Sequence, residues 1–333
     1  MIIQPHVYFI PLNNQLSRIQ FEQGLALSWL TEDEINKVHR YKAEQAQHNA
    51  LQVRLALRAV LSMHSDVLPH QWLFEYGDKG KPSLSAELFE QTGLHFNLSH
   101  SGDWLMIGVL PCAAASSGAS SGASSGDSDR RHYGAFKAIL FGLDIERVRA
   151  STNIKPILNH YFTDNEVADL VALPDVLQRQ RFFDLWTLKE AFIKATGKGL
   201  AQSLSSFSFS FTDNKVFQAD CFSVSVSVSG AASVAALESA AVSSAHVKAA
   251  ERAPSPILCR HDEIHFTAPV TDNSQWTCRF GRLTETYRFS FCIGTDAVLS
   301  SSNENGSDDL AGGVNITEPI MVLTSLAQLL SAA

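Results

Sequence analysis

The chain has 333 residues, 45% hydrophobic and 18% charged, with a formal net charge of −8. That length suits one large or two ordinary soluble domains, and without a basic excess nothing points to nucleic acid as a partner. No apolar run reaches the ~18 residues of a membrane helix: the longest, Trp104 to Ala115, is broken by Pro111, so no membrane association is expected.

Val7 to Ile10 reads as a first strand. Thr31-Glu-Asp-Glu34 carries the capping-box pattern and predicts a helix start. A longer helix is predicted from about Glu44 to Met63, with Leu51, Leu55, Ala59 and Val60 on its apolar face and Gln47, Arg54 and Arg58 on another. Gly77 to Pro82 is a turn cluster. His95–Leu98 and Trp104–Leu110 read as strands flanking Ser99-His-Ser-Gly-Asp103. Residues 113 to 130 are rich in Ala, Ser and Gly, a composition that predicts a flexible insertion. Tyr133 to Ile145 returns to a strand pattern. Thr163-Asp-Asn-Glu166 is a second capping box, and Arg181 to Thr196 a second long helix ended by Gly197. Phe207, Phe209 and Phe211 alternate with serines as in a strand. Residues 219 to 255 and 295 to 315 read as low-complexity insertions, the latter with Asp296, Glu304, Asp308 and Asp309 and no Lys or Arg. Trp276–Phe280 and Tyr287–Ile293 predict a final strand pair, and 316 to 330 an ordered end.

Cys112, Cys221, Cys259, Cys278 and Cys292 form no C-x-x-C pair and read as reduced thiols. The first residues lack the basic and apolar regions of a signal peptide. The expected location is therefore the cytoplasm.

Strand alternation within Phe141-Gly-Leu-Asp-Ile-Glu-Arg147 sends Phe141, Leu143 and Ile145 to a core and Asp144 and Glu146 to the opposite face. Two neighbouring carboxylates repel unless a cation lies between them, and hard oxygen ligands suit Mg²⁺. The same segment reads equally as a solvated strand end balanced by Arg147 and Arg149. Trp186, Glu190 and Lys194 share one helix face at i, i+4, i+8, with Lys189 bordering it; alone, this is an ordinary surface pair above a core Trp. His100 between two serines can donate to phosphate, or can simply occupy a polar turn. Lys81, Lys37, Arg40, Arg54 and Arg58 are further candidate phosphate contacts or ordinary surface charges. No G-x-S-x-G elbow, P-loop or dinucleotide fingerprint occurs.

In order, Gly80-Lys-Pro82, Phe96-Asn-Leu-Ser-His-Ser101, Phe141-Gly-Leu-Asp-Ile-Glu146 and Trp186-x-x-Lys-Glu-Ala-x-x-Lys194 resemble the 4′-phosphopantetheinyl transferases of the surfactin-synthetase-activating (Sfp) type, over roughly residues 5 to 212. The resemblance implies an α/β (α+β) fold with a pseudo-twofold pair of similar subdomains. Each would be a small, mostly antiparallel sheet packed on a long helix, divided as 1–138 and 139–333. It implies a monomer that moves the phosphopantetheine arm of coenzyme A to a serine of an apo acyl or peptidyl carrier protein, releasing adenosine 3′,5′-bisphosphate. Asp144, Glu146 and Glu190 would hold Mg²⁺, or Mn²⁺ in its place. Glu190 would take the serine proton directly or through water, and Lys194 would neutralise phosphate charge. Lys37, Arg40, Lys81, Ser99, His100, Lys189 and Lys194 would contact coenzyme A, although Lys189 could instead only anchor its helix. The enlarged second half is compatible with a specialised partner, such as the tandem carriers of a polyketide or polyunsaturated fatty acid synthase, and equally with neutral drift. Asn153 to Phe162 offers an apolar patch for a carrier. The competing readings are a non-catalytic coenzyme A or carrier binder on the same fold, and a hydrolase of coenzyme A-like pyrophosphates.

Overall fold

Two capping boxes open the helices that precede the two longest ones. Thr31 accepts from the Glu34 N–H while the Glu34 carboxylate accepts from Thr31, and Thr163 and Glu166 repeat the arrangement. In both boxes the glutamate also reaches a buried cation on the following long helix: Glu34 meets Arg58 at 2.5 Å, and Glu166 meets Lys189 at 2.9 Å. The structure, a computed structural model, describes residues 2–12, 18–112, 139–211, 257–259, 264–267, 274–296 and 314–333. The three expected insertions fall wholly or largely outside those residues, as do the first part of the 133–145 strand and Cys221.

The first half contains β1 (Ile2–Ile3), β2 (His6–Pro11), α1 (Arg18–Ala26), α2 (Glu32–His39), α3 (Glu44–Ser62), β3 (Phe74–Tyr76), β4 (Pro82–Leu84), α4 (Ala86–Thr92), β5 (Leu94–Ser101) and β6 (Trp104–Pro111). The second contains β7 (Leu140–Arg147), α5 (Ile154–Tyr161), α6 (Asp164–Val171), α7 (Asp175–Thr196), β8 (Ser208–Phe211), β9 (Ile257–Cys259), β10 (Ile264–Thr267), β11 (Ser274–Thr284) and β12 (Tyr287–Asp296). The chain ends with β13 (Asn315–Ile316), β14 (Ile320–Leu323) and α8 (Leu326–Ala332). Helix α7 starts six residues before the predicted Arg181, and β5 runs on to Ser101, so the serines and His100 belong to a strand and only Gly102 and Asp103 form the turn.

Two four-stranded sheets dominate, ordered β14-β2-β6-β5 and β7-β12-β11-β9. The order β2-β6-β5 in one repeats as β7-β12-β11 in the other, and all these neighbours are antiparallel. The fold is thus the expected α/β pair of small sheets, each with a long helix. The division at 138/139 needs one correction. Strand β14 lies parallel to β2, pairing Ile320 with His6, and Leu329 of α8 is buried in the core beneath α3. The last segment therefore completes the first half, because β2 would otherwise leave an unpaired edge.

Strand alternation sorts the side chains into three apolar layers. Val7 and Phe9 of β2 meet Leu143 and Ile145 of β7 and Phe289 and Phe291 of β12 between the sheets. Tyr8, Ile10, Leu105 and Ile107 face the other way, onto Ala56, Val60 and Leu61 of α3. Phe280 and Cys292 pack on Leu188 and Phe192 of α7. Helix α7 approaches β7 closely at Gly142: a Cβ there would fall inside the contact distance of Ala191 O and Ala195 N.

Candidate functional site

The edge strands β5 and β7 meet where the two sheets adjoin, and polar side chains join them. Asn97, Ser99 and Ser101 alternate onto one face of β5. The Leu143 N–H donates to Asn97 Oδ1 at 3.3 Å, Ser99 Oγ donates to Asp144 Oδ1 at 2.8 Å, and Ser101 Oγ donates to Glu146 Oε2 at 2.8 Å. Ser101 Oγ also accepts from the Arg147 N–H at 3.2 Å.

Helix α7 completes the cluster. Lys194 Nζ donates to Asp144 Oδ1 at 2.6 Å and to Ser99 Oγ at 2.9 Å. Glu190, one turn earlier, feels the same carboxylates. Burial, then the charges of Asp144 and Glu146, push its carboxyl up to about 7, against the opposing pull of Lys194. Glu146 is raised by burial first and Asp144 second, while the Ser101 hydrogen bond lowers it. Asp144, Lys194 and Ser99 are thus in direct contact, and Glu146 and Glu190 lie within electrostatic reach of them.

Other predicted residues lie differently. Lys189 is fully buried, and its ammonium donates to Leu204 O at 2.7 Å and Phe207 O at 2.8 Å besides pairing with Glu166. It points away from the acidic cluster and anchors α7, which corrects its assignment as a coenzyme A contact. Arg58, a candidate phosphate contact, is likewise buried against Glu34. Lys81 ties the halves together by donating to Phe141 O at 3.0 Å and Ala195 O at 3.1 Å, and desolvation lowers its pKa to about 8. His100 is exposed on the opposite face of β5 from Ser99. Crowding by the protein, and secondly the Lys194 cation, lower its pKa. Lys37 Nζ lies 4.5 Å over the Tyr76 ring, and Arg40 is exposed at the end of α2. Among the described residues neither bonds to the acidic cluster.

The donor set is of the kind a hard divalent cation takes. Asp144 Oδ2 is buried with no hydrogen-bond partner among the described residues, which leaves one acidic oxygen unused beside two carboxyls already raised by crowding. Among the described residues no three His, Cys, Asp or Glu groups lie at metal-binding spacing.

Asn97 had no role in the sequence expectations, whereas Ser101, one of the two serines flanking His100, donates to Glu146, and Arg147, expected to balance the acids, gives its N–H to Ser101. Period-two spacing of Asn97, Ser99 and Ser101 was the available signal, and β5 had to extend through Ser101 for it to register.

Two family models match the chain. Residues 17–111 match the N-terminal domain of 4′-phosphopantetheinyl transferases, and residues 140–244 match the 4′-phosphopantetheinyl transferase superfamily. The 4′-phosphopantetheinyl transferase HetI of Nostoc sp. is 30% identical over 197 residues, covering 59% of this chain and 70% of HetI. A Synechocystis sp. protein named as a candidate enzyme of the same kind is 30% identical over 205 residues, 62% of this chain and 70% of its own. The 4′-phosphopantetheinyl transferase Sfp of Bacillus subtilis is 27% identical over 202 residues, 61% of this chain and 75% of Sfp. With the motif order, the repeated sheet and these matches in agreement, the chain belongs to the 4′-phosphopantetheinyl transferase family, enzymes that transfer phosphopantetheine to carrier proteins.

Proposed function

We propose that this transferase takes phosphopantetheine from coenzyme A and delivers it to a serine of an apo acyl or peptidyl carrier protein, with adenosine 3′,5′-bisphosphate as the second product. The observation that carries this reading is the Asp144–Lys194–Ser99 cluster at the junction of the two halves, with Glu146 and Glu190 beside it.

The carrier serine oxygen attacks the pyrophosphate phosphorus nearer the pantetheine. A new P–O bond forms as the bond to the bridging oxygen breaks, and the leaving adenosine bisphosphate keeps the electron pair. Glu190 accepts the serine proton, directly or through one water; a carboxyl raised toward neutrality is suited to that task. Lys194, held in place by Asp144 and Ser99, faces the charge that develops on the leaving phosphate. His100, Lys37 and Arg40 supply donors for the coenzyme A phosphates, and Lys81 contributes its third N–H. Asp144, Glu146 and Glu190 would hold Mg²⁺, or Mn²⁺, which when bound offsets pyrophosphate charge. The partly buried aromatic group of Tyr161 and Trp186 beside α5 is the surface we assign to the carrier. We also propose that the enzyme acts as a monomer in the cytoplasm.

The test is to incubate the full chain with coenzyme A, MgCl₂ and an apo carrier and weigh the carrier. A gain of one phosphopantetheine group is expected. Adenosine bisphosphate released without carrier modification would instead indicate hydrolysis, and no gain with several apo carriers would contradict the reading.

A further inference from the structure

We propose that Tyr287 is a positioning residue for the transferase site, fixing from the second half the β5–β6 turn that presents Ser99, His100 and Ser101. The proposal rests on the reading of that site given above.

Tyr287 is the first residue of β12, buried between the sheets and paired in register with Arg147 of β7. Its hydroxyl leaves the apolar layer and accepts from the Asp103 N–H at 3.0 Å. Gly102, immediately before, has φ +55, and a Cβ there would collide with the Tyr287 oxygen. The turn is therefore shaped both by its left-handed backbone and by the hydroxyl against it. Two further contacts hold the same residue. The Leu12 N–H donates to Asp103 O at 2.7 Å, and Arg147 lies 3.9 Å from the Asp103 carboxylate. The Leu12 bond belongs to the first half, so Tyr287 and Arg147 are what register the turn against the second.

The consequence reaches the acids through Ser101. This residue is two positions from Asp103, donates to Glu146 and accepts from the Arg147 N–H. A turn free to shift would carry Ser101 away from Glu146 and disturb the spacing between the β5 hydroxyls and the acids of β7. Ser99 is additionally held by Lys194 and Asp144. Loss of the Tyr287 hydroxyl should therefore act mainly through Glu146.

Tyr287→Phe in the full chain tests this, because it deletes the hydroxyl and keeps the buried ring. Three readouts are needed: hydrogen exchange at the Asp103 amide, melting temperature, and carrier modification at varied MgCl₂ and coenzyme A. Exchange at Asp103 should become faster with melting little changed. The MgCl₂ concentration for half-maximal rate should rise about tenfold, in the range seen when a partner of a metal ligand is removed, while KM for coenzyme A moves less. Unchanged exchange at Asp103, or equal loss in every kinetic parameter in step with melting temperature, overturns the proposal. If the variant does not fold, the wild-type protein decides: an Asp103 amide exchanging as fast as an open turn contradicts the role. A wild-type chain that modifies no carrier would remove the functional reading alone, while the exchange result would still report whether Tyr287 fixes the turn.

Discussion

Lys194 Nζ lies 2.6 Å from Asp144 Oδ1, and Ser99 Oγ donates to that same oxygen at 2.8 Å. One carboxylate oxygen thus gathers a helix and a strand of the second half and a strand of the first. Replacing Lys194 by Gln removes the cation while keeping a polar side chain of similar reach. The rate of carrier modification should fall about 10²-fold, as when one preorganised donor is lost, and Lys194→Arg should recover part of it. Equal activity of Lys194→Gln and wild type would remove the lysine from the chemistry.

Lys189 makes the contrasting prediction. Its ammonium is enclosed by Glu166, Leu204 O and Phe207 O. Lys189→Met would strand the Glu166 charge in the interior, at a cost of about 3–5 kcal/mol in denaturant unfolding. Protein that remains folded should keep its KM for coenzyme A. A large rise in that KM with stability unchanged would restore the ligand role that the sequence suggested.

The difference between the two lysines explains what the sequence could disclose. Capping boxes at Thr31 and Thr163, the alternation from Phe141 to Glu146 and the spacing of Glu190 and Lys194 are local patterns, and each corresponds to an observed element or face. Whether Lys189 or Arg58 turns inward depends on Glu166 and Glu34, which belong to other helices, and no local pattern encodes that pairing. The return of β14 to β2 and the reach of Tyr287 to Asp103 are likewise contacts between distant segments. Short helices such as α1 and α4 escaped prediction because they offer too few turns for a clear apolar period.

Gly142 sets the distance between the acidic strand and its helix. An added methyl would press on the backbone of α7 at Ala191 and Ala195, where no side chain can swing aside. Gly142→Ala should destabilise the protein by at least about 3 kcal/mol, toward the upper range for overpacking, read from the denaturant midpoint. A midpoint like the wild type's would mean that helix and strand can separate freely.

A histidine pair in the first half predicts acid sensitivity. His64 Nε2 lies 2.9 Å from Tyr8 Oη, and the His6 and His64 rings meet edge to face at 4.6 Å. Burial, and secondly His6, lower the His64 pKa from 6.5 to about 4. The folded state therefore binds fewer protons than the unfolded chain between those values. Stability from this site is full above pH 6.5 and is lost as pH falls toward 4. Unfolding measured across that window should steepen with acid in the wild type and flatten in His64→Gln. Identical pH slopes for the two proteins would contradict the assignment.

If the acids gathered where β5, β7 and α7 meet perform the transfer, Asp144→Ala should abolish it. Wild type and variant, each folded by circular dichroism and melting, are incubated with coenzyme A, MgCl₂ and an apo carrier, and the carrier mass is followed with time. The carrier should gain the phosphopantetheine mass with wild type and nothing above background with the variant. Near-normal turnover by a folded Asp144→Ala protein would contradict that role of the acids.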